Sequence, residues 1–282
     1  MSTVTTQAPT SAPAEATRPV YKVTGARVVR SEWAKFWSLR SSWITLGLAL
    51  IFMLGFGLIR LARYKSMITS GDTHGGGDLA TADAVSLSLF GINFAQLALG
   101  ILGVLVTAGE YSTGMIRSTL AAVPRRLPVL WSKAAVYGVI ALVLGTVGAF
   151  AAFLFGSGII SGTPAALSLS GAGVVRSLFA AGLYLGLIAV IGIALGALLR
   201  SVAGGIAVLV GALMLVPGLV ELLPTTWQNN VSQYLPSNAG ESMFALHHSA
   251  NTLSPAAGLA VFAGWTVLAL AGAAYRLVRT DA

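Results

Sequence analysis

Six long stretches of the chain contain no aspartate, glutamate, lysine or arginine, and this feature limits the fold more than any other. They cover residues 41–59, 84–109, 134–175, 177–199, 201–220 and 242–275. A helix of about 20 apolar residues is long enough to cross the ~30 Å hydrocarbon layer of a bilayer. Only 9% of the residues are charged, against about 25% in a typical soluble domain. The sequence therefore predicts an all-α integral membrane protein.

A seventh uncharged stretch, residues 222–240, is a poor candidate for a span because prolines and a Gln–Asn run interrupt it. The 42-residue stretch holds one helix followed by a loop rich in Gly and Ser, and the last stretch becomes apolar only after Pro255. These readings predict a single six-span transmembrane domain over residues 42–282. The predicted spans are about 42–62, 86–108, 132–157, 174–199, 202–222 and 256–276.

Two segments precede the first span. Residues 1–19 are mostly Ser, Thr, Ala and Pro, which predicts a disordered tail and not a signal peptide. Residues 20–41 are predicted to contain an amphipathic helix whose apolar stripe suits the headgroup boundary. The stripe consists of Val29, Trp33, Phe36 and Trp37. An ordinary juxtamembrane anchor with no role beyond positioning is the alternative interpretation.

The distribution of positive charge predicts the orientation. If the N-terminus is inside, 13 of the 17 Lys and Arg residues lie in cytoplasmic segments. Because cytoplasmic loops carry an excess of Lys and Arg, we expect both termini to be cytoplasmic and the protein to lie in the cell membrane. The net charge of +8 then requires no nucleic-acid partner. Arg60, Arg63 and Lys65 are the exception, since they fall in an outer loop.

Several kinds of chemistry are missing from the sequence. The chain has no cysteine, no Gly-Lys pair and therefore no P-loop, and no H-E-x-x-H motif. Acidic residues are almost absent from the spans, where an ion-driven carrier or an intramembrane enzyme would need them. We therefore predict that the chain is not an enzyme and has no catalytic, cofactor-binding or metal site of its own.

The segment between the second and third spans, residues 109–133, carries the most functional information. It reads GEYSTGMIRSTLAAVPRRLPVLWSK and predicts a helix over roughly 111–122 that ends at Val-Pro-Arg-Arg. Met115, Ile116 and Leu120 are apolar, although nothing in the sequence indicates what covers them. A short exposed helix of this kind is typical of a docking element. The alternative is a basic loop that only fixes the topology.

This segment resembles the loop between the second and third spans of ABC-2 type transporter permeases. The residues that carry the resemblance are Glu110, Tyr111, Gly114, Arg117, Pro124, Arg125, Arg126 and Lys133. Met115 stands where members of the family often have Thr. Residues 31–43, SEWAKFWSLRSSW, resemble the interfacial elbow helix at the start of the family. Residues 224–250, which include Trp227, Tyr234 and Pro236, resemble its re-entrant outer segment. We expect Trp227 and Tyr234 to lie near the outer boundary.

The resemblance implies the permease subunit of an ATP-driven exporter for an amphipathic or hydrophobic substrate. A separate cytosolic ABC ATPase would bind ATP and Mg, and a second copy or a sibling permease would complete the pathway. The coupling helix would contact the ATPase through Glu110, Tyr111, Gly114, Met115, Ile116, Arg117, Leu120, Arg125 and Arg126. The alternative function is a membrane assembly or binding protein without transport of its own. An adjacent ATPase gene would distinguish the two.

Overall fold

The computed structural model describes residues 24–71, 82–123, 125–247 and 251–279. Every regular element in these ranges is helical, and the predicted tail, residues 1–19, lies outside them. We number the helices in chain order, leaving short 3₁₀ turns unnumbered. They are α1 Gly25–Ser38, α2 Arg40–Ser70, α3 Ala84–Ser112, α4 Met115–Ala122, α5 Leu127–Ile159, α6 Val174–Leu199, α7 Val202–Val220, α8 Thr225–Val231, α9 Pro236–Phe244 and α10 Pro255–Arg279.

Six of these helices are long and apolar enough to cross a membrane: α2, α3, α5, α6, α7 and α10. The predicted all-α architecture with six spans is thus confirmed, and the chain is a multi-pass membrane protein. Because the number of crossings is even, α1 and the end of α10 lie at the same end of the bundle. There Arg126 donates a hydrogen bond of 3.1 Å to the carbonyl oxygen of Leu277. We call this the terminal end and the opposite one the distal end.

The first span is longer than the sequence predicts. Helix α2 continues to Ser70 and ends at Gly71, whose φ of +70° is a left-handed conformation that glycine tolerates. Arg60, Arg63 and Lys65 therefore lie on a helix and not in a loop. The guanidinium of Arg60 packs over the ring of Phe90, 4.4 Å from its centroid. Charged residues ended the apolar stretch, but they do not break a helix.

Helices α3 and α6 form the centre of the bundle, and α6 contacts α3, α5 and α10. Gly182 of α6 lies against Thr146 of α5, and Gly192 of α6 lies against Gly100 of α3. A side chain at Gly192 would run into the Gly100 carbonyl, so this close approach requires glycine. Small residues at such crossings let helix backbones pack tightly in a membrane.

Helix α7 is the least buried span. Its middle, Gly211–Leu215, forms a π-helical turn, and Pro217 follows in the next turn without a backbone N–H to donate. Large apolar side chains such as Leu215 and Leu219 point away from the bundle. An apolar surface of this kind is suited to lipid or to another membrane helix.

Two short helices, α8 and α9, occupy the chain between the last two spans at the distal end. Helix α9 packs against α6 and α10. Arg176 holds the end of α9 by donating to the carbonyl oxygens of Met243 at 3.2 Å and Ala245 at 2.9 Å. Gly240 of α9 lies against the ring of Tyr184, which is buried in the bundle.

Candidate functional site

Four charged residues lie together at the terminal end, where α1 meets the spans. Glu32 and Lys35 belong to α1, Glu110 lies near the end of α3, and Lys133 lies in the second turn of α5. Glu32, Glu110 and Lys133 are only 1%, 4% and 2% exposed. Charged groups are rarely buried to this degree unless they are paired. We call these four residues the charge cluster.

Each lysine of the charge cluster contacts both glutamates. Lys133 Nζ lies 2.7 Å from Glu32 Oε2 and 2.9 Å from Glu110 Oε1. Lys35 Nζ lies 2.9 Å from Glu32 Oε1 and 3.1 Å from Glu110 Oε1. The two positive and two negative charges sum to zero, which makes burial tolerable. The cluster therefore connects α1, α3 and α5 through a closed set of charged hydrogen bonds.

Local helix geometry positions the cluster. Glu32 and Lys35 are three residues apart on α1, so their side chains lie on the same face. Phe36 packs edge-to-face on Tyr137, which lies one turn beyond Lys133, with 5.1 Å between ring centroids. This aromatic contact fixes the face of α1 that turns towards the spans. Ser42 at the start of α2 is fully buried beside the same junction.

The pKa values of the two α1 residues reflect this pairing. Burial raises the pKa of Glu32, but the neighbouring Lys133 and Lys35 outweigh burial and hold it below its ordinary value. Burial lowers the pKa of Lys35, but Glu32 and Glu110 outweigh it and raise the pKa above its ordinary value. Both groups therefore remain charged at neutral pH.

One oxygen of the charge cluster is left over. Glu110 Oε2 is buried and has no hydrogen-bond partner in the described part of the chain. An unsatisfied buried oxygen is unfavourable by about 1–3 kcal/mol. Such groups are uncommon in folded proteins, and they often mark a strained or functional position.

Beside the charge cluster lies α4, a separate surface helix. It follows the break at Thr113 and Gly114, where Gly114 has a φ of +74°. Met115 is 44% exposed and Arg117 is also exposed, whereas Ile116 is 6% exposed. Leu120 is half-buried. The exposed surface is narrower than the sequence suggests, because the chain itself covers Ile116.

A groove of about 400 Å³ separates α1 from α4. Its walls include Val28, Ser31 and Lys35 on α1, and Met115, Thr119 and Val123 on the other side. One end of the groove reaches the charge cluster through Lys35 and Glu32. The groove, the cluster and α4 thus form one continuous feature of the terminal end.

The remaining residues of the predicted coupling segment flank this feature. The Arg200 guanidinium lies over the ring of Tyr111, 5.0 Å from its centroid, so Tyr111 is joined to the start of the loop before α7. Arg125 is exposed, and Arg126 contacts the end of α10. Pro124 lies outside the described residues.

The apolar stripe of α1 is divided between two environments. Val29, Trp33 and Trp37 are 41–45% exposed, as expected for side chains at a membrane boundary. Phe36 differs, since it is 1% exposed and faces Tyr137. Three residues of the stripe are therefore exposed, and the fourth belongs to the protein core.

The predicted outer residues lie at the distal end. Trp227 is on α8, Tyr234 is in the turn that follows, and Pro236 begins α9. Trp227 and Tyr234 are largely exposed, and Trp265 Nε1 donates a hydrogen bond of 3.0 Å to the Tyr234 carbonyl. This bond joins the distal segment to α10.

Sequence reasoning did not identify Glu32 and Lys35 as members of a buried charge cluster. A signal was present, because Glu32 is the only acidic residue of α1 and lies on the same face as Phe36. It became meaningful only when α3 and α5 brought their charges to the same place.

Comparison of the chain with models of known protein families gives no match, and comparison with curated proteins gives none.

Proposed function

We propose that the chain is the permease subunit of an ATP-driven exporter, coupled to a separate cytosolic ATPase of the ABC type. The proposal rests on the sequence resemblance described above and on one structural observation. A buried charge cluster connects α1 to two spans, next to a short exposed helix in the loop that carries the resemblance. The terminal end is cytoplasmic in this proposal, and the protein lies in the cell membrane.

The charge cluster supports a role for the terminal end in transmitting movement. Helix α4 is held to the bundle by Ile116, and it joins α3 only two residues beyond Ser112. Glu110 lies in the last turn of α3 and bonds to Lys133 of α5. A partner that displaced α4 would therefore act on the ends of two spans at once, through bonds that resist separation.

The energy source in this proposal is outside the chain. Because the sequence contains no P-loop, ATP and Mg would bind to the partner. The exposed surface offered to that partner consists of Met115, Arg117 and the groove between α1 and α4. Arg125 adds a further positive charge beside it, which favours an acidic patch on the ATPase.

The spans support an amphipathic or hydrophobic substrate and a second permease subunit. The six uncharged stretches leave the middle of the bundle without charged groups. A charged substrate would therefore meet no side chain of opposite charge there. Helices α7, α10 and α2 bury the smallest shares of the six spans, which leaves room for a second copy or a sibling permease beside lipid.

The experiment uses α4 variants that keep the fold. Ile116→Asp would place a charge in a buried position, so Met115→Asp and Arg117→Glu are the informative changes. The tagged chain is purified from membranes of its native host, and co-purified ATP hydrolysis is measured. We expect the wild type to retain an ABC ATPase, and both variants to lose most of that activity at normal expression.

Two variants at the distal end serve as matched controls. Leu169→Asp changes an exposed apolar residue, and Arg63→Glu reverses an exposed positive charge. Both should retain wild-type ATP hydrolysis. A wild-type chain that brings no ATPase with it would support a membrane assembly or binding protein instead. Normal hydrolysis in both α4 variants would remove α4 from the coupling interface.

A further inference from the structure

The surface of the terminal end carries positive charge without exposed negative charge. Among the described residues, eleven Lys and Arg and two acidic residues lie at this end, whereas the distal end has four and three. The two acidic residues are Glu32 and Glu110, which are buried and bond to Lys35 and Lys133. The exposed arginines of this end therefore face outwards in a positive field that attracts anions.

Three exposed tryptophans lie side by side where α1 meets α2. The ring centroids of Trp33 and Trp37 are 5.4 Å apart, and those of Trp37 and Trp43 are 4.4 Å apart. Trp43 Nε1 donates a hydrogen bond of 3.3 Å to the Trp37 carbonyl, which joins the start of α2 to α1. We call Trp33, Trp37 and Trp43 the tryptophan patch. Exposed indoles of a membrane protein concentrate at the boundary between headgroups and hydrocarbon.

Arg30 lies on the same face of α1 as the tryptophan patch. It precedes Trp37 by seven residues, which places the two side chains about 20° apart around the helix axis. The buried residues of α1 are Val28, Glu32 and Phe36, and they form a different face. Arg30 is exposed, so its guanidinium and the patch both point away from the bundle.

Arg40 begins the outward face of the first span. It is the first residue of α2 and is exposed, and Ile44, Leu48 and Ile51 follow it on the same face of the helix. These three side chains are 70%, 41% and 65% exposed. Exposed apolar side chains on a span are suited to lipid hydrocarbon. Since Arg40 precedes the first of them by one turn, its guanidinium falls at the level of the headgroups, where phosphate is the anion it meets.

We propose that the junction of α1 and α2 binds anionic phospholipid, with Arg30 and Arg40 facing the phosphates and the tryptophan patch facing the upper part of the acyl chains. A guanidinium can donate two parallel hydrogen bonds to a phosphate group. In phosphatidylcholine the choline cation compensates this phosphate, so a lipid with a net negative charge should be preferred. The proposal goes beyond the permease function, because lipid binding here needs neither ATP nor a partner ATPase.

Tryptophan fluorescence of the whole chain in phosphatidylcholine vesicles tests the proposal. Lipids with brominated acyl chains quench the tryptophans that they contact, and four of the six tryptophans lie at the terminal end, namely the patch and Trp131. Brominated phosphatidylglycerol or brominated phosphatidylcholine is added in increasing fractions, and their relative binding constants follow from the quenching. We expect phosphatidylglycerol to be preferred about fivefold or more, the effect of one arginine near an anionic surface. Raising NaCl from about 0.05 to about 0.5 M should remove most of this preference through screening.

Two double variants locate the lipid site. Arg30→Gln with Arg40→Gln should lower the preference for phosphatidylglycerol to below about twofold. Arg117→Gln with Arg125→Gln removes the same charge from exposed positions at the same end, on α4 and in the loop after it, and should keep the wild-type preference. All four arginines are exposed or lie at a helix start, so neither double variant disturbs the core.

Four results would each overturn the proposal. They are equal quenching of the wild type by the two brominated lipids, a preference that high salt leaves unchanged, an undiminished preference in the Arg30 and Arg40 variant, and an equal loss in both double variants. The last result would indicate a diffuse positive field without a lipid site at α1. The comparison of lipids and the salt series need no variant, so they decide the matter even where a variant fails to fold.

Discussion

Replacing Lys133 by Met is the sharpest perturbation of the charge cluster. The ammonium of Lys133 lies within 2.9 Å of an oxygen of both Glu32 and Glu110, and it is nearly inaccessible to water. The change leaves two buried carboxylates with a single, partly exposed lysine, Lys35, to compensate them. Removing one partner of a buried ion pair is unfavourable by about 3–5 kcal/mol, because the other charge stays in a poorly solvated place.

The assay is thermal unfolding of the purified chain in a mild detergent. For a chain of roughly this size, 1 kcal/mol shifts the apparent melting temperature by about 2–4 °C, so we expect Lys133→Met to lower it by roughly 10 °C. Lys65→Met is the matched control, since it makes the same substitution at an exposed position on α2. A shift below about 2 °C, or the same shift in both variants, would refute the reasoning.

A double variant tests whether the four charges act as a unit. Glu110→Gln combined with Lys133→Met removes one charge of each sign and restores a net charge of zero. We expect this combination to be less destabilising than the sum of its parts by about 1 kcal/mol or more, as measured for residues that share a network. Additive effects would indicate that Glu110 and Lys133 act independently of each other.

Three further predictions concern other parts of the molecule. The pKa of Glu32 lies below its ordinary value of 4.5, and the pKa of Lys35 lies above its ordinary value of 10.5, so both side chains stabilise the fold between these two pH values. The melting temperature, measured from about pH 3.5 to about pH 11.5, should therefore fall at both ends of this range. In the variant Glu32→Gln the fall at the acid end should be smaller. Gly192→Ala should destabilise the bundle by about 1–3 kcal/mol through collision with α3, whereas Gly264→Ala meets no neighbouring atom and should not, and comparison of their melting temperatures checks this. Cysteine at Thr226 on exposed α8 should react in intact cells with an impermeant thiol reagent if the distal end is outside, and the native chain has no cysteine to react; protection of this position alone would reverse the orientation.

The number and placement of the spans could be predicted from the sequence because a bilayer requires long apolar segments, and prolines and a Gln–Asn run exclude the one other long uncharged stretch, residues 222–240. The first and last residues of the helices could be predicted less well. Helix α5 begins at Leu127, ahead of the predicted 132, and α2 runs eight residues past the predicted 62. Hydrophobicity reports where lipid can lie, whereas a helix continues as far as its backbone bonds and its neighbours allow.

The charge cluster could not be predicted in the same way. Periodicity within one segment shows which residues share a face of a helix, but not which helices meet. Glu32 and Lys133 are 101 residues apart, and only the packing of α1 beside α5 brings them within 2.7 Å. The exposure of Met115 could be anticipated, but the burial of Ile116 on the same helix depends on where α4 lies against the bundle.

The cluster holds two of the nine acidic residues in the chain, although apolar side chains of the same size could fill the space. Replacing a buried ion network by apolar residues is often neutral or stabilising, so stability alone does not account for these charges. The charges could instead fix the position of α1 against the spans. All four charged groups are paired only when Glu32 and Lys35 of α1 face Glu110 and Lys133. We therefore predict that the variant Glu32→Leu, Lys35→Met, Glu110→Leu and Lys133→Met melts within about 5 °C of the wild type but loses the fixed position of α1. Spin labels at Val29 on α1 and Ser118 on α4 should give a narrow distance distribution in the wild type and a broad one in the apolar variant. An equally narrow distribution in both would mean that Phe36 and Tyr137 alone determine where α1 lies.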